Sequence, residues 1–217
     1  MNRTPKYYAV RIGRNTGIFD SWQDCSKSVR GYKGAVFKSF SDREAAEEYL
    51  DQNTEEHTID EDLPYAYIDG SVNPKTGVYG YGGFIHEGGR FHLIQGSGSN
   101  PLYTSERNVA GEVIGAAQTI WKAYNLGITE FNLYYDYVGI EQWSTGGWKA
   151  KTDLTRRYSE AMARIRDKVT VHFVKVEGHT GIKGNELADI LAKEAVGVKL
   201  RKKDVLTIGE FKKGIIV

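Results

Sequence analysis

Hydrophobic positions along this chain repeat in two ways. Some alternate with a period of two, as a half-buried strand does, and others form stripes with a period near 3.6, as one helix face does. In the first fifty residues, YYAVRIG (7–13) alternates and a Gly-containing turn at 14–17 leads to IFDSW. Ser21 is placed to cap a short helix running to about Arg30. AVFKSF (35–40) is a further strand, and Ser41 or Asp42 opens a helix with Ala45, Ala46, Tyr49 and Leu50 on its inner face. The pattern predicts a small α+β domain, a three-stranded sheet with two helices.

From Pro64 onward the pattern starts again. Runs at 65–71, 79–87 and 89–98, joined by Gly/Asn/Pro turns, predict an antiparallel meander. A helix is expected over about 105–124, with Val109, Val113, Ala116, Ile120 and Tyr124 on one stripe. EFNLYYD (130–136) is a strand, followed by a short helical piece near 138–143 and a helix over about 153–166. VTVHFVKV (169–176) is the last strand and 185–196 the last body helix. Three strands followed by αβαβα predict an α/β fold, a mixed five-stranded sheet flanked by helices.

Charge marks the boundary between these two patterns. Residues 51–62, DQNTEEHTIDED, hold six acids and no Lys or Arg. Like charges without a hydrophobic period read as a linker over 51–63. This separates a module at 1–50 from a body at 64–197 and a basic, partly apolar extension at 198–217. Residues 1–41 carry eight Lys/Arg against Asp20 and Asp24, while residues 63–197 carry fourteen charges of each sign. The basic first block fits either a polyanion partner or a solvated basic face.

The single cysteine, Cys25, rules out an internal disulfide framework and fits a reducing compartment. No apolar run approaches the ~18–20 residues of a membrane span, and MNRTPKYYAV has no secretory h-region. A cytoplasmic protein without a membrane partner is therefore expected; separately, a monomer is expected.

Four acids stand where such a sheet could gather them. Asp69 ends the first body strand, Asp136 ends LYYD, Glu112 lies about two turns into a helix, and Asp189 lies one turn into another. Gly115 and Ala116, three and four residues after Glu112, would let that helix approach the sheet closely. On the last helix, Leu187, Ile190 and Leu191 mark a buried face, with Asn185, Glu186 and Asp189 opposite. Each acid alone also fits a turn, a cap or a solvated helix face. Gathered together, carboxylates repel unless cations compensate, and oxygen-only ligands suit Mg²⁺ or Mn²⁺ rather than zinc. Two such ions could serve an in-line phosphoryl displacement. HExxH, GxGxxG, Walker and GxSxG patterns are absent from the chain.

DGS (69–71), NVAGE (108–112), YYD (134–136) and GHTGIKGNELAD (178–189) occur in that order. Over about residues 64–197 the chain thereby resembles type 1 ribonuclease H. The resemblance implies a metal-dependent endonuclease that hydrolyses the RNA strand of RNA–DNA hybrids by a two-metal-ion mechanism, giving 5′-phosphate and 3′-hydroxyl ends. It makes Asp69, Glu112, Asp136 and Asp189 the metal-binding catalytic carboxylates, with two Mg²⁺ per site and Mn²⁺ as substitute. Glu186 matches an acid near the metals. His179 matches a loop histidine that assists proton movement at the leaving oxygen or product departure. Asn108, with Gly70 and Ser71 of the DGS turn, matches substrate-binding positions, Asn108 in the minor groove.

The first 50 residues resemble the hybrid-binding domain attached to some of these enzymes, through YYAVRIGRNTGIF, SW (21–22) and VFKSF (36–40). That resemblance assigns Tyr8, Trp22 and Phe37 to nucleic-acid contacts and Lys38 to phosphate, with double-stranded RNA as a second ligand. Ser39 stands where the family has another lysine. The segment WSTGGWKAKTDL is short where many relatives carry a lysine-rich handle, so the N-terminal module is expected to replace that handle. The alternative is a non-catalytic protein that binds hybrids or double-stranded RNA through residues 1–50.

Overall fold

The computed structural model describes residues 6–32, 35–51, 62–104, 106–176, 178 and 182–214, with the backbone alone at 51, 104 and 108. The expected linker falls almost wholly outside these residues. The chain divides into two compact units, Met1–Thr58 and Ile59–Val217.

In the first unit, β1 (Tyr7–Ile12) pairs antiparallel with both β2 (Gly17–Phe19) and β3 (Val36–Phe40), in the order β2-β1-β3. Alternation sends Ala9 to the α2 helix (Arg43–Asp51), where it packs with Ala46 and Tyr49. Val10 points the other way, onto Cys25 and Val29 of α1 (Trp22–Val29). A cap starts α1 where expected: the Ser21 hydroxyl accepts from the Asp24 backbone N–H at 3.1 Å. On each face one β1 residue is buried against two from the helix, a small interior that each helix covers from its own side.

In the second unit, β4 (Tyr65–Val72), β5 (Tyr79–Glu87) and β6 (Arg90–Gly98) form the antiparallel meander. β7 (Glu130–Tyr135) and β8 (Thr170–Lys175) then extend the sheet in parallel, in the order β6-β5-β4-β7-β8. A short α3 (Pro101–Thr104) precedes α4 (Asn108–Asn125). The helix was expected to start at 105. It starts instead after Arg107, whose φ of 53° and ψ of −128° break the helical path. α4, α5 (Gly139–Thr145) and α6 (Asp153–Ile165) lie over one face, burying Ile68, Ile120, Phe131, Leu133, Tyr135 and Met162. Tyr124 is exposed rather than on the buried stripe, and Ala123 takes that place.

The opposite face is covered by α7 (Lys183–Ala195), and α8 (Lys202–Lys213) packs on α7. Leu191 and Ala192 of α7 press on Gly82, where a Cβ would lie 2.0 Å from the Ala192 nitrogen. The tail 198–217 gave no helix in its sequence pattern. Ile208 and Phe211 nevertheless fix one by packing with Leu187, Ile190 and Leu191. Asn185, expected on the polar face, is buried, and its Oδ1 has no partner among the described residues. Among those residues no helix is long and apolar enough to cross a membrane.

Candidate active site

The parallel pairing of β4 with β7 directs two acids to one edge. Its register ends at Tyr67 opposite Tyr134, so continuing it by two residues sets Asp69 beside Asp136. β4 does not stop at Asp69 as expected; it stays paired with β5 as far as Val72. Asp69 therefore sits at the fork where β7 departs and β5 continues, held on a rigid strand. Glu112 arrives from α4 because Gly111 allows the helix backbone to touch the sheet. A Cβ at Gly111 would lie 2.0 Å from the Gly80 carbonyl oxygen and 3.1 Å from the Gly70 Cα. Gly115, one turn on, is similarly pressed against Ile68 and Tyr81. Asp69, Glu112 and Asp136 each offer a carboxylate oxygen within 4.8 Å of the other two.

That gathering is electrostatically costly without a cation. Burial first, and then the charges of Asp136 and Asp189, raise the Asp69 carboxyl to about 7, against hydrogen bonds from Glu112 and the Gly70 N–H. The Gly70 N–H donates to Asp69 Oδ1 at 2.7 Å. Glu112 is pushed well above the usual carboxylate range by burial, then by Asp69 and Asp136. Its Oε2 is buried and has no partner among the described residues. Three hard oxygen donors, one of them buried and unpaired, fit a divalent cation such as Mg²⁺ or Mn²⁺. They do not fit a soft or nitrogen-preferring metal.

The other expected residues fall around this group. Asp189 lies outside the three-acid cluster, and its Oδ2 accepts a hydrogen bond from Lys193 Nζ at 2.6 Å. Its charge still reaches Asp69. Glu186 is exposed one turn earlier on α7. His179 lies outside the described residues, but its neighbour Gly178 is against the site: a Cβ there would meet Asp136 Oδ2 at 2.7 Å. Asn108 begins α4 one turn before Glu112, and Gly70 and Ser71 follow Asp69 on β4.

In the N-terminal unit, Trp22 stands 5.6 Å from the rings of both Tyr8 and Phe37 and is 48% exposed. This tryptophan therefore lies half-exposed between two aromatics at the surface of the sheet rather than in its core. Lys38 does not join it. Its ammonium lies 5.6 Å and 5.8 Å from the Phe40 and Tyr49 rings, whose cluster packs against α2.

Residues 63–197 match the family model described as RNase H, and residues 6–50 match the Ribonuclease H1 N-terminal domain. The chain belongs to the ribonuclease H family. Human Ribonuclease H1 is 28% identical over 252 aligned positions, covering 87% of this chain and 88% of that protein. Ribonuclease H of Saccharomyces cerevisiae is 46% identical over 52 residues, which are 24% of this chain and 15% of the yeast protein. The structure of LC11-RNase H1, isolated from compost, superposes with a TM-score of 0.51 at 20% identity, over 63% of this chain and 96% of that one. LC11-RNase H1 solved in complex with an RNA/DNA hybrid gives 0.50 at 20% identity, over 62% of this chain and 96% of that chain.

Two features of this RNase H domain escape a reading of its motifs. Lys193 follows Asp189 by four residues on α7, a spacing that pairs charges on one helix face. Gly111 stands beside Glu112, where a glycine inside a helix signals close backbone approach. Both signals are in the sequence, but neither has meaning until α4 and α7 are placed on the sheet.

Proposed function

We propose that the protein is an endonuclease that hydrolyses the RNA strand of RNA–DNA hybrids, leaving 5′-phosphate and 3′-hydroxyl ends. The observation that carries this reading is the convergence of Asp69, Glu112 and Asp136 at the sheet edge of a ribonuclease H family member. A fold neighbour solved with an RNA/DNA hybrid supports the substrate class. Asp69, Glu112, Asp136 and Asp189, with Glu186 nearby, would hold two Mg²⁺ ions, or Mn²⁺ in their place. When bound, these ions would supply activation of the attacking water and neutralisation of charge on the scissile phosphate.

The protein's own groups do the positioning. β4 fixes Asp69, and the Gly70 N–H holds its Oδ1 in place. Gly111 keeps Glu112 at the sheet, and Gly178 lies against Asp136. His179, the next residue in the chain, would give a proton to the leaving oxygen. Asn108, Gly70 and Ser71 would face the hybrid, whose 2′-hydroxyls distinguish the RNA strand. Tyr8, Trp22 and Phe37 would stack on nucleic acid, without Lys38, and hold hybrids or double-stranded RNA independently of cleavage.

The Asp136→Asn protein tests the assignment. It should fold and bind a labelled hybrid as the unmutated chain does, yet lose nearly all cleavage in Mg²⁺. Turnover equal to that of the unmutated chain would remove Asp136 from the chemistry.

A further inference from the structure

The family match ends at residue 197, but the chain continues into a helix packed against the site's own helix. α8 is fastened at both ends. At its far end Ile208 and Phe211 join the apolar cluster on α7. Lys212 Nζ lies 2.8 Å from Glu194 Oε2, which also accepts from Gln95 Nε2 at 2.8 Å. At its near end Arg201 donates to buried Asp204 through Nε at 2.7 Å and a terminal nitrogen at 3.0 Å. Asp204 thus orients a guanidinium whose own side chain stays 69% exposed.

Between α7 and α8 lies a hollow of about 710 Å³. Lys183, Lys193, Lys199, Arg201 and Lys203 line it, together with the site acids Glu186 and Asp189. Asp189 and Glu186 are among the charges acting on the Arg201 guanidinium. Lys193 is committed to Asp189, but among the described residues no ion pair engages Lys183, Lys199 or Lys203. A guanidinium carries five N–H groups. Asp204 takes two, which leaves three in a planar fork suited to phosphate oxygens.

We propose that the C-terminal extension builds a phosphate-binding site, centred on Arg201 with Lys199 and Lys203, for the backbone of the strand being cut, next to the phosphate held at the acids. This rests on the ribonuclease reading above and extends it beyond the family's matched region. Arg201 acts here by holding substrate, and Asp204 by holding Arg201. Because the contact is to phosphate, it reads no sequence and contributes through charge.

The test compares the full chain with its Arg201→Ala, Arg201→Lys and Lys199→Ala/Lys203→Ala variants. Cleavage of a fluorescent hybrid in Mg²⁺ is followed from 50 to 300 mM KCl, and hybrid binding in EDTA over the same range. For Arg201→Ala, KM should rise roughly fivefold or more and kcat stay within about twofold. The slope of log(kcat/KM) against log[salt] should become shallower by about 1. Arg201→Lys should restore the slope. The double lysine variant leaves the Asp204 contact intact, and it should flatten the slope with an unchanged melting temperature. An unchanged slope in both Arg201→Ala and the double variant would overturn the proposal, whatever happens to stability. If the unmutated chain binds hybrid but never cuts it, the ribonuclease reading fails, and the binding slopes still decide the phosphate site.

Discussion

Replacing Asp69 by asparagine is expected to stabilise the metal-free protein at alkaline pH. Burial and the neighbouring acids raise this carboxyl from 3.8 to about 7 in the folded state. Below pH ~4 the folded and unfolded chains both hold the proton, and no penalty arises. As pH rises further, the unfolded chain releases the proton and the folded chain keeps it. Folded stability therefore falls with rising pH until the folded carboxyl ionises near 7, and then levels off. At about 1.4 kcal/mol per pH unit, the full penalty is about 4 kcal/mol above pH 7 and about 1 kcal/mol at pH 4.5. Asparagine has the same shape, keeps an oxygen to accept from the Gly70 N–H, and offers an N–H to Glu112. Urea unfolding in EDTA, followed by tryptophan fluorescence, measures the difference; Trp121, Trp143 and Trp148 report on this unit. The gain of Asp69→Asn over the unmutated chain should grow by about 3 kcal/mol from pH 4.5 to pH 8.5. Saturating Mg²⁺ should stabilise only the unmutated chain. A gain that does not change with pH, or a loss at pH 8.5, would refute the electrostatic reasoning.

Other perturbations probe the scaffold and the second unit. Gly111→Ala forces a methyl to 2.0 Å from the Gly80 carbonyl oxygen, between two backbones that cannot yield. Urea unfolding should show a loss of about 3 kcal/mol, with cleavage falling as Glu112 is displaced. Gly178→Ala presses on Asp136 Oδ2, 2.7 Å away, from a loop. It should leave unfolding nearly unchanged and raise the Mg²⁺ concentration for half-maximal activity severalfold. Trp22→Ala removes the half-exposed ring between Tyr8 and Phe37. Fluorescence anisotropy should show hybrid binding weakened roughly tenfold, an amount typical of one lost base–aromatic stack. Deleting residues 1–60 should weaken it at least as much.

The fold was largely legible because alternation and 3.6-residue stripes are strong in this chain. The parallel pairing of β4 with β7 follows from the helix between them, and it carries Asp69 and Asp136 to one edge. What the pattern could not supply was depth. Asn185 reads as a polar-face residue by spacing but is buried, and Tyr124 reads as core but is exposed. Helix α8 gave no clear stripe, because Ile208 and Phe211 are its apolar anchors and the partners they need lie on α7 and on strands β5 and β6. Lys38 shows the same limit on a strand. It follows Phe37 in sequence, and alternation carries its ammonium toward Phe40 and Tyr49, away from the Trp22 surface.

The central claim is that the carboxylate cluster cuts RNA paired with DNA. A labelled RNA–DNA hybrid, the matching double-stranded RNA and the single-stranded RNA, each incubated with the full chain in Mg²⁺ or EDTA, test it most directly. The account predicts internal cleavage of the hybrid's RNA strand alone, with 5′-phosphate ends, abolished by EDTA. An intact hybrid in Mg²⁺, or equal cutting of all three RNAs, would contradict it.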